Sequence, residues 1–379
     1  MDYATLKFIW WLLVGVLLIG FAIMDGHDMG VGTLLPFVGK TDTERRVVIN
    51  TIGPHWEGNQ VWFITGGGAI FAAWPLVYAA AFSGFYWAMM AVLWALFFRP
   101  VGFDYRSKLK SPVWRSWWDR LLFIGSAVPP LIFGVAFGNL LQGVPFYYDD
   151  TLRSFYTGSF WALLNPFALL CGLVSTAMIT FHGANYLMLR TEDIIFQRAK
   201  KMAVIFGVLT VALFALAGIW LYLGNISGFV VVSGLDPNAV SNPLVKTVAI
   251  QSGAWFINYT KYPFTVVFPV LGLVAALLGV VFAIKEKAGL AVIASSLAMV
   301  GIIVTAAAAM FPFVMPSSSH PNSSLTAWDG TSSLFTLQVM LVASVIFVPL
   351  IVFYTRWAYK VLWGKVTEAD IRANDHSAY

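Results

Sequence analysis

Residues 47–98 read VVINTIGPHWEGNQVWFITGGGAIFAAWPLVYAAAFSGFYWAMMAVLWALFF, and Glu57 is the one charged side chain among them. This stretch is more than twice the roughly 20 residues that a helix needs to cross the hydrocarbon core of a bilayer. Proline lacks the backbone N–H that a continuous helix uses, so Trp74-Pro75 divides the stretch. These residues therefore predict two consecutive membrane-spanning helices.

The composition of the whole chain agrees with a membrane protein. Of its 379 residues, 59% are hydrophobic and only 11% are charged, and the mean hydropathy is +0.78. A soluble domain carries about a quarter charged residues, so the bilayer must solvate much of this chain. The single cysteine, Cys171, excludes an intrachain disulfide, a Cys-based iron–sulfur cluster and a zinc finger. No metal site is predicted.

Charge-poor runs elsewhere in the chain predict seven more spans and a single integral-membrane domain over residues 1–379. The first run has no small-residue cleavage site after it, which favours an uncleaved span over a signal peptide. The nine predicted spans are 8–24, 50–73, 76–98, 121–143, 159–189, 202–224, 262–284, 289–313 and 334–359.

Lysine and arginine residues predict the orientation of these spans. All but four of the 23 lie in the connections after odd-numbered spans, and the exceptions are Lys7, Arg153, Lys246 and Lys261. The positive-inside rule then places the N-terminus in the periplasm and the C-terminus in the cytoplasm. The net charge of +5 therefore reflects the orientation of the chain in the membrane and does not indicate nucleic-acid binding. The long connections on the outside are predicted to be polar loops.

Glu57 is the most informative polar residue because a carboxylate within a span is costly and often serves proton or ion movement. If span two begins near residue 50, Glu57 lies roughly 10–15 Å inside the cytoplasmic end of its helix, at ~1.5 Å per residue. His55 and Asn59 lie within two residues of it. A proton-relay role is the favoured hypothesis, and a neutral Glu57 that fastens helices by hydrogen bonds is the alternative.

Two further polar groups lie near the predicted cytoplasmic side. Asp25, His27 and Asp28 follow the first span directly, either as a proton antenna or as an ordinary solvated helix end. Asp104 and Lys108 are one helical turn apart in the basic segment 99–120, where a solvated ion pair is the simpler interpretation.

The histidines show no paired spacing that would predict a haem site in this chain. His55 and His182 fall within predicted spans, but no second histidine lies near either in sequence. Hydrogen bonding within the bundle is the favoured interpretation. The five histidines are His27, His55, His182, His320 and His376.

Five longer motifs resemble those of cytochrome bd oxidase subunit II, and they occur in the same order as in that family. The likeness runs from near residue 7 to the last residue. Many family members have Asp where this chain has Glu57. The motifs are DGHDMG at 25–30, HWEGNQVW at 55–62, FFRPVGFDYR at 97–106, GVAFGNLLQGVPF at 134–146 and FPFVMPSS at 311–318.

The resemblance implies a fold and an activity that spacing alone does not. It implies nine spans, arranged as two four-helix bundles and one peripheral helix, in a bacterial inner membrane. The chain would pair with a pseudo-symmetric subunit I that holds haems b558, b595 and d. Small single-span subunits and a structurally bound ubiquinone are also expected. The complex would oxidise ubiquinol, reduce O₂ to water and build a proton gradient without pumping.

The resemblance also assigns site residues. Lys108 and Asp104 match the mouth of the family's cytoplasmic proton path, and Glu57 matches a group within it. Asp28 matches an acidic family position, and Asp25 and His55 are further candidates. A proton-coupled transporter is the competing hypothesis, but the chain shows no inverted repeat with paired broken helices. A self-sufficient cytochrome would need histidine pairs that the chain lacks.

Overall fold

The computed structural model describes residues 1–224, 226–374 and 378–379. Eight of its helices are long and apolar enough to cross a membrane, and there are nine such spans if the bent pair α3–α4 counts as one. The predicted all-helical polytopic fold is confirmed. The helices are α1 Tyr3–Val38, α2 Asp42–Asn50, α3 Trp56–Ala73, α4 Pro75–Gly84, α5 Tyr86–Tyr105, α6 Pro112–Gln142, α7 Pro166–Arg190, α8 Asp193–Leu223, α9 Ile257–Lys261, α10 Val267–Ile284, α11 Ala288–Met310, α12 Leu334–Val361 and α13 Glu368–Ala373.

Two groups of four long helices form the body of the protein. In the first, α1 packs on α3 and α6, and α5 packs on α6. In the second, α7, α8, α10 and α11 form a closed ring, and α1 and α6 join the two groups through α7. Leu337 is the one buried residue among those of α12, which therefore lies at the periphery. This is the predicted arrangement of two bundles and one peripheral helix.

The long outside connections are not simple loops as predicted. Each holds a two-stranded antiparallel sheet, and an isolated bridge between Val144 and Ser317 joins the first connection to the third. The paired strands satisfy backbone groups that would otherwise need water. The strands are β1 Phe146–Tyr148 with β2 Ser154–Tyr156, β3 Ser227–Ser233 with β4 Thr247–Ser252, and β5 Phe313–Met315 with β6 Leu325–Thr326.

The first helix is much longer than the predicted span 8–24. Asp2 caps its N-terminus by accepting from the Thr5 backbone N–H, and the helix continues to Val38. It therefore extends roughly 20 Å beyond Asp25 at ~1.5 Å per residue. The prediction of a cytoplasmic helix end at Asp25, His27 and Asp28 is wrong. Acidic residues ended the predicted span, but here they are neutralised by neighbours inside the bundle.

The predicted boundaries of spans two and three also shift. The short helix α2 begins with a capping box between Thr41 and Glu44, and a turn over residues 51–55 separates it from α3. Trp74-Pro75 does break the chain, with a bend of 118° between α3 and α4. The third crossing then begins only at Tyr86. Gly53-Pro54 lies in the turn, and its proline cannot continue a helix from α2.

The bundles meet where two glycines let α1 and α7 approach closely. A Cβ added to Gly183 would lie 2.5 Å from the carbonyl carbon of Gly30, and one added to Gly30 would lie 2.3 Å from the Ile179 oxygen. Both contacts are with backbone, which cannot rotate away. Small residues serve this purpose at helix interfaces in membranes, where close packing replaces the hydrophobic effect as the driving force.

We expect Gly183→Ala to lower the thermal unfolding midpoint of the purified protein because the added methyl forces α1 and α7 apart. Overpacking of this kind costs about 1–3 kcal/mol. Gly15→Ala is the matched control, since a Cβ at Gly15 meets no atom within 4 Å. Equal midpoints for the two variants would contradict the proposed contact.

Candidate functional site

A buried ion pair joins helices α1 and α5 of the first bundle. Nη1 of Arg99 donates to Oδ2 of Asp25 at 2.9 Å, and Nη2 donates to Oδ1 at 2.5 Å. The two side chains are 0% and 1% exposed, and the guanidinium lies 5.8 Å from the ring centre of Trp56. Arg99 was predicted in a basic cytoplasmic connection, but it lies within α5. Its charge is matched by Asp25 and does not face water.

A second buried cluster, formed by His27, Asp28 and His55, lies beside this pair. Oδ1 of Asp28 is 3.2 Å from Nε2 of His27 and 3.7 Å from Nδ1 of His55. The Asn59 amide donates to Oδ2 of Asp28 at 2.8 Å. The ring centres of His27 and His182 are 6.0 Å apart. The sequence shows no paired spacing of histidines, and helix packing brings together histidines that are far apart in sequence.

Two tyrosines complete this region and were not identified from the sequence. The Tyr359 hydroxyl, from the peripheral helix α12, donates to Oδ1 of Asn59 at 2.9 Å. The Tyr186 hydroxyl, from α7, lies 2.9 Å from Nε2 of His55. The sequence offered one signal for them, which is a tyrosine near the cytoplasmic end of a predicted span. Tyrosines are common at membrane interfaces, so this signal did not single them out. His320 lies in the outer connection against Tyr147, and His376 lies outside the described residues.

Glu57, Asp104 and Lys108 are all exposed in this chain. Glu57 lies in the first turn of α3, so its predicted depth of 10–15 Å inside a helix is wrong. The turn that delays the start of α3 is the physical reason. The neighbouring rings of Trp56 and Phe103 pack with centres 5.2 Å apart, which places the residues after them, Glu57 and Asp104, at adjoining helix ends.

Tyr379 lies against the same place. Its backbone N–H donates to Oδ1 of Asn50 at 3.0 Å, and its ring packs where a Cβ on Gly53 would be. Burial, together with the negative charges of Asp104 and Glu57, raises the pKa of the Tyr379 phenol above its usual range. Both carboxylates are therefore within electrostatic reach of one side chain.

An ion-pair layer orders the basic segment after α5. The buried Arg106 donates to Asp119 at 2.5 Å and to Asp42 at 2.9 Å. Arg45 also donates to Asp119, at 2.8 Å, and Arg115 pairs with Asp42. This segment was predicted as a solvated basic connection, but its arginines pair with carboxylates on α2 and α6. The layer holds the Asp104 helix end in a fixed position.

A cleft of about 720 Å³ opens between α1, α7, α11 and α12. Its walls are mainly apolar, and its inner end carries polar groups from the region described above. Its cytoplasmic rim carries Lys287 and Trp363. The polar groups that line the inner end are His27, His182, Tyr186 and Tyr359.

Comparison with known proteins decides the family. The sequence model described as "Cytochrome bd terminal oxidase subunit II" matches residues 6–362. The chain belongs to this family. As a subunit II, it is 57% identical over 378 residues to the "Cytochrome bd-I ubiquinol oxidase subunit 2" of Escherichia coli (strain K12), covering 100% of both chains. It is also 33% identical to the "Cytochrome bd ubiquinol oxidase subunit 2" of Bacillus subtilis (strain 168), covering 97% of this chain and 98% of the other.

A solved structure supports the fold of subunit II. One chain of the bd oxidase from Geobacillus thermodenitrificans superposes with a TM-score of 0.71 at 14% sequence identity, covering 94% of this chain and 98% of that one. The family resemblance is therefore confirmed. Subunit II is a multi-pass protein of the bacterial cytoplasmic membrane and one part of a terminal respiratory oxidase. It works with subunit I in a complex that carries haem.

We expect Arg99→Met in subunit II to destabilise the complex by about 3–5 kcal/mol, because it leaves the Asp25 carboxylate buried without its partner. The double variant Asp25→Leu/Arg99→Met should recover most of that loss, since neither charge remains. Arg115→Met is the control, because its partner Asp42 is 42% exposed. Thermal unfolding midpoints measure the effect. A double variant no more stable than Arg99→Met would show that the pairing argument fails.

Proposed function

We propose that subunit II carries protons from the cytoplasm toward subunit I through Lys108, Asp104 and Glu57. Subunit I would use these protons to reduce O₂ to water, with ubiquinol as the reductant, as named for the Escherichia coli relative. Protons from ubiquinol would leave on the periplasmic side. The two half-reactions on opposite sides then build a proton gradient without pumping.

The observation that carries this proposal is the adjacency of Asp104 and Glu57. The contact between Trp56 and Phe103 holds the two helix ends together, and both acids act electrostatically on Tyr379. Lys108 is exposed one helical turn after Asp104, on a short 3₁₀ segment, Arg106–Lys108. The two carboxylates would attract protons to an inlet on the cytoplasmic side, where Lys108 is also exposed.

The proposed path continues onto an uncovered face of α3. Gly58 and Gly68 on this face meet no atom within 4 Å of an added Cβ, so another helix could approach closely there. We infer that subunit I covers this face and receives protons from Glu57. The exposed surface of α12 would face lipid or a small single-span subunit. The exposed residues on this face of α3 are Glu57, Gly58, Val61, Ile64, Thr65, Gly68 and Phe71.

The proposal that subunit I holds the haems is supported by the histidines of this chain, which do not suit a haem. A bis-histidine haem needs its ring between the two imidazoles. Between His27 and His55, whose ring centres are 5.6 Å apart, that position holds Asp28, Asn59 and Tyr359. The haem chemistry of the complex would therefore be supplied elsewhere.

A structural ubiquinone suits the cleft between α1, α7, α11 and α12. Its volume of about 720 Å³ lies within the range of ligand sites, roughly 300–1,000 Å³. A quinone ring needs a few polar partners at the closed end and apolar walls for its tail. His182 and Tyr359 would contact the ring, and the tail would leave between helices into lipid.

The remaining predicted proton carriers are less suited to the path. Asp25 is committed to Arg99 by two hydrogen bonds. Asp28 and His55 belong to the buried cluster and not to the exposed inlet. Their role as proton carriers stays a prediction, and their geometry favours the different role argued below.

We expect Glu57→Gln to lower O₂ consumption by the purified complex with ubiquinol at least about tenfold, with all haem bands retained. A positioned proton-transfer group typically contributes 10²–10⁴-fold to a rate. Glu57→Asp keeps the acid and should retain most of the activity. Asp104→Asn should show a loss in the same direction as Glu57→Gln.

The control for this experiment is Glu368→Gln. Glu368 lies on the short cytoplasmic helix α13, exposed and paired with Arg372, so its loss should leave the rate unchanged. Full activity in Glu57→Gln would refute the relay. Loss of activity together with the haem bands would mean that Glu57 serves assembly instead.

A further inference from the structure

The His27–Asp28–His55 cluster has a feature that the proposed proton path does not use. His27 and Asp28 come from α1, and His55 comes from the turn before α3. Their exposed fractions are 4%, 0% and 8%. The potential ligand atoms, Nε2 of His27, Oδ1 of Asp28 and Nδ1 of His55, all lie within 4.8 Å of one another. The cluster is therefore compact and shielded from water.

Backbone carbonyls determine which nitrogen of each imidazole carries the proton. Nδ1 of His27 lies 3.1 Å from the Ile23 oxygen, and Nε2 of His55 lies 3.1 Å from the Thr51 oxygen. A carbonyl oxygen only accepts, so these contacts favour a hydrogen on each of these two nitrogens. The lone pairs are thereby left on Nε2 of His27 and Nδ1 of His55. Both of these atoms face Asp28.

The carboxylate of Asp28 adds a third lone pair to the same space. Its Oδ1 atom is buried and has no hydrogen-bond partner among the described residues. The Tyr359 hydroxyl gives its hydrogen to Asn59, so its oxygen also turns a lone pair toward the two rings, 3.3 Å from Nε2 of His27. Electron pairs from the two imidazoles and Asp28 converge here, and the Asn59 amide lies 3.1 Å from Nδ1 of His55 as a donor. A buried arrangement of this kind is stabilised by a cation that these lone pairs can share.

We propose that Nε2 of His27, Oδ1 of Asp28 and Nδ1 of His55 bind a divalent transition-metal ion, for which Zn²⁺ is the best fit. With bonds of ~2.0–2.1 Å, the edges of a tetrahedral zinc site are about 3.3 Å long. The separations of 3.2 Å and 3.7 Å from Asp28 match such edges. Water or the Tyr359 oxygen completes the set.

The surroundings are those of a metal site. Ile23 and Thr51 orient the imidazoles through the nitrogens that do not bind metal, as outer-shell carbonyls do. The Asn59 amide donates to the second oxygen of Asp28. When metal binds, Nδ1 of His55 would give up its 3.1 Å contact with this amide and bind the metal instead. The cleft lined by His27 and Tyr359 supplies a route from the cytoplasmic side. The bound ion would tie α1 to the start of α3, next to α12.

The test uses the whole oxidase complex, purified with a histidine-free affinity tag and equilibrated with Zn²⁺ before removal of free metal. Wild type should retain one zinc more per complex than His27→Phe, and zinc affinity in that variant should fall at least about 100-fold. Phenylalanine keeps the ring that packs 4.1 Å from Tyr186 but offers no nitrogen. X-ray absorption of the retained zinc should show imidazole ligands at ~2.0–2.1 Å.

His320→Phe is the matched control, because it removes an outer-connection histidine and should leave zinc retention unchanged. Asp28→Asn serves as a second variant if His27→Phe does not assemble, as judged by the haem spectrum, and it should lose the same zinc. Equal zinc in wild type and both cluster variants overturns the proposal. The proposal is also overturned if the wild-type complex retains less than one equivalent of zinc. In that case a protonated imidazole is the positive charge within the cluster. Zinc content is independent of oxidase rate, so either proposal can fail alone.

Discussion

The pairing of Asp25 with Arg99 is the interaction on which the first bundle depends. A lone charge inside a membrane protein costs several kcal/mol, and it cannot be relieved by water. Asp25 lies near the middle of a helix that runs from Tyr3 to Val38, and Arg99 lies well inside α5. Both helices can continue through these positions only because each charge neutralises the other. The lengths of α1 and α5 follow from this contact.

Charges outside the helix bundles are arranged differently on the two sides. On the cytoplasmic side, Arg106 bridges Asp42 and Asp119, so α2 and α6 hold the chain after α5. On the opposite side, Lys246 pairs with Asp329 at 2.7 Å and joins two of the outer connections. Arg106, Asp119, Lys246 and Asp329 are buried, so these pairs specify where the connections lie as well as balancing charge. These basic residues are therefore held in defined ion pairs and do not form a diffuse basic surface.

Two groups of acids in this protein are suited to different work. Glu57 and Asp104 are exposed at adjoining helix ends, where they can exchange protons with water and face a partner subunit. Asp28 is buried in a cluster with two imidazoles and is 0% exposed. An exposed acid can gain and lose protons quickly, whereas a buried one with converging lone pairs holds a cation. The exposed face of α3 and the buried cluster therefore keep these two roles in separate places.

Hydrophobic runs, their breaks and the placement of lysine and arginine predicted the spans and their orientation, and five sequence motifs indicated the family, because each of these signals lies within a short stretch of sequence. Tertiary structure decided where helices end and which polar groups meet. A run appears to stop at Asp25 until Arg99, far away in sequence, neutralises it. Glu57 appears deep until Gly53-Pro54 delays its helix. His27, the pair His55 and Asn59, and Tyr359 lie on three separate segments, and only the packing of α1, α3 and α12 brings these side chains together.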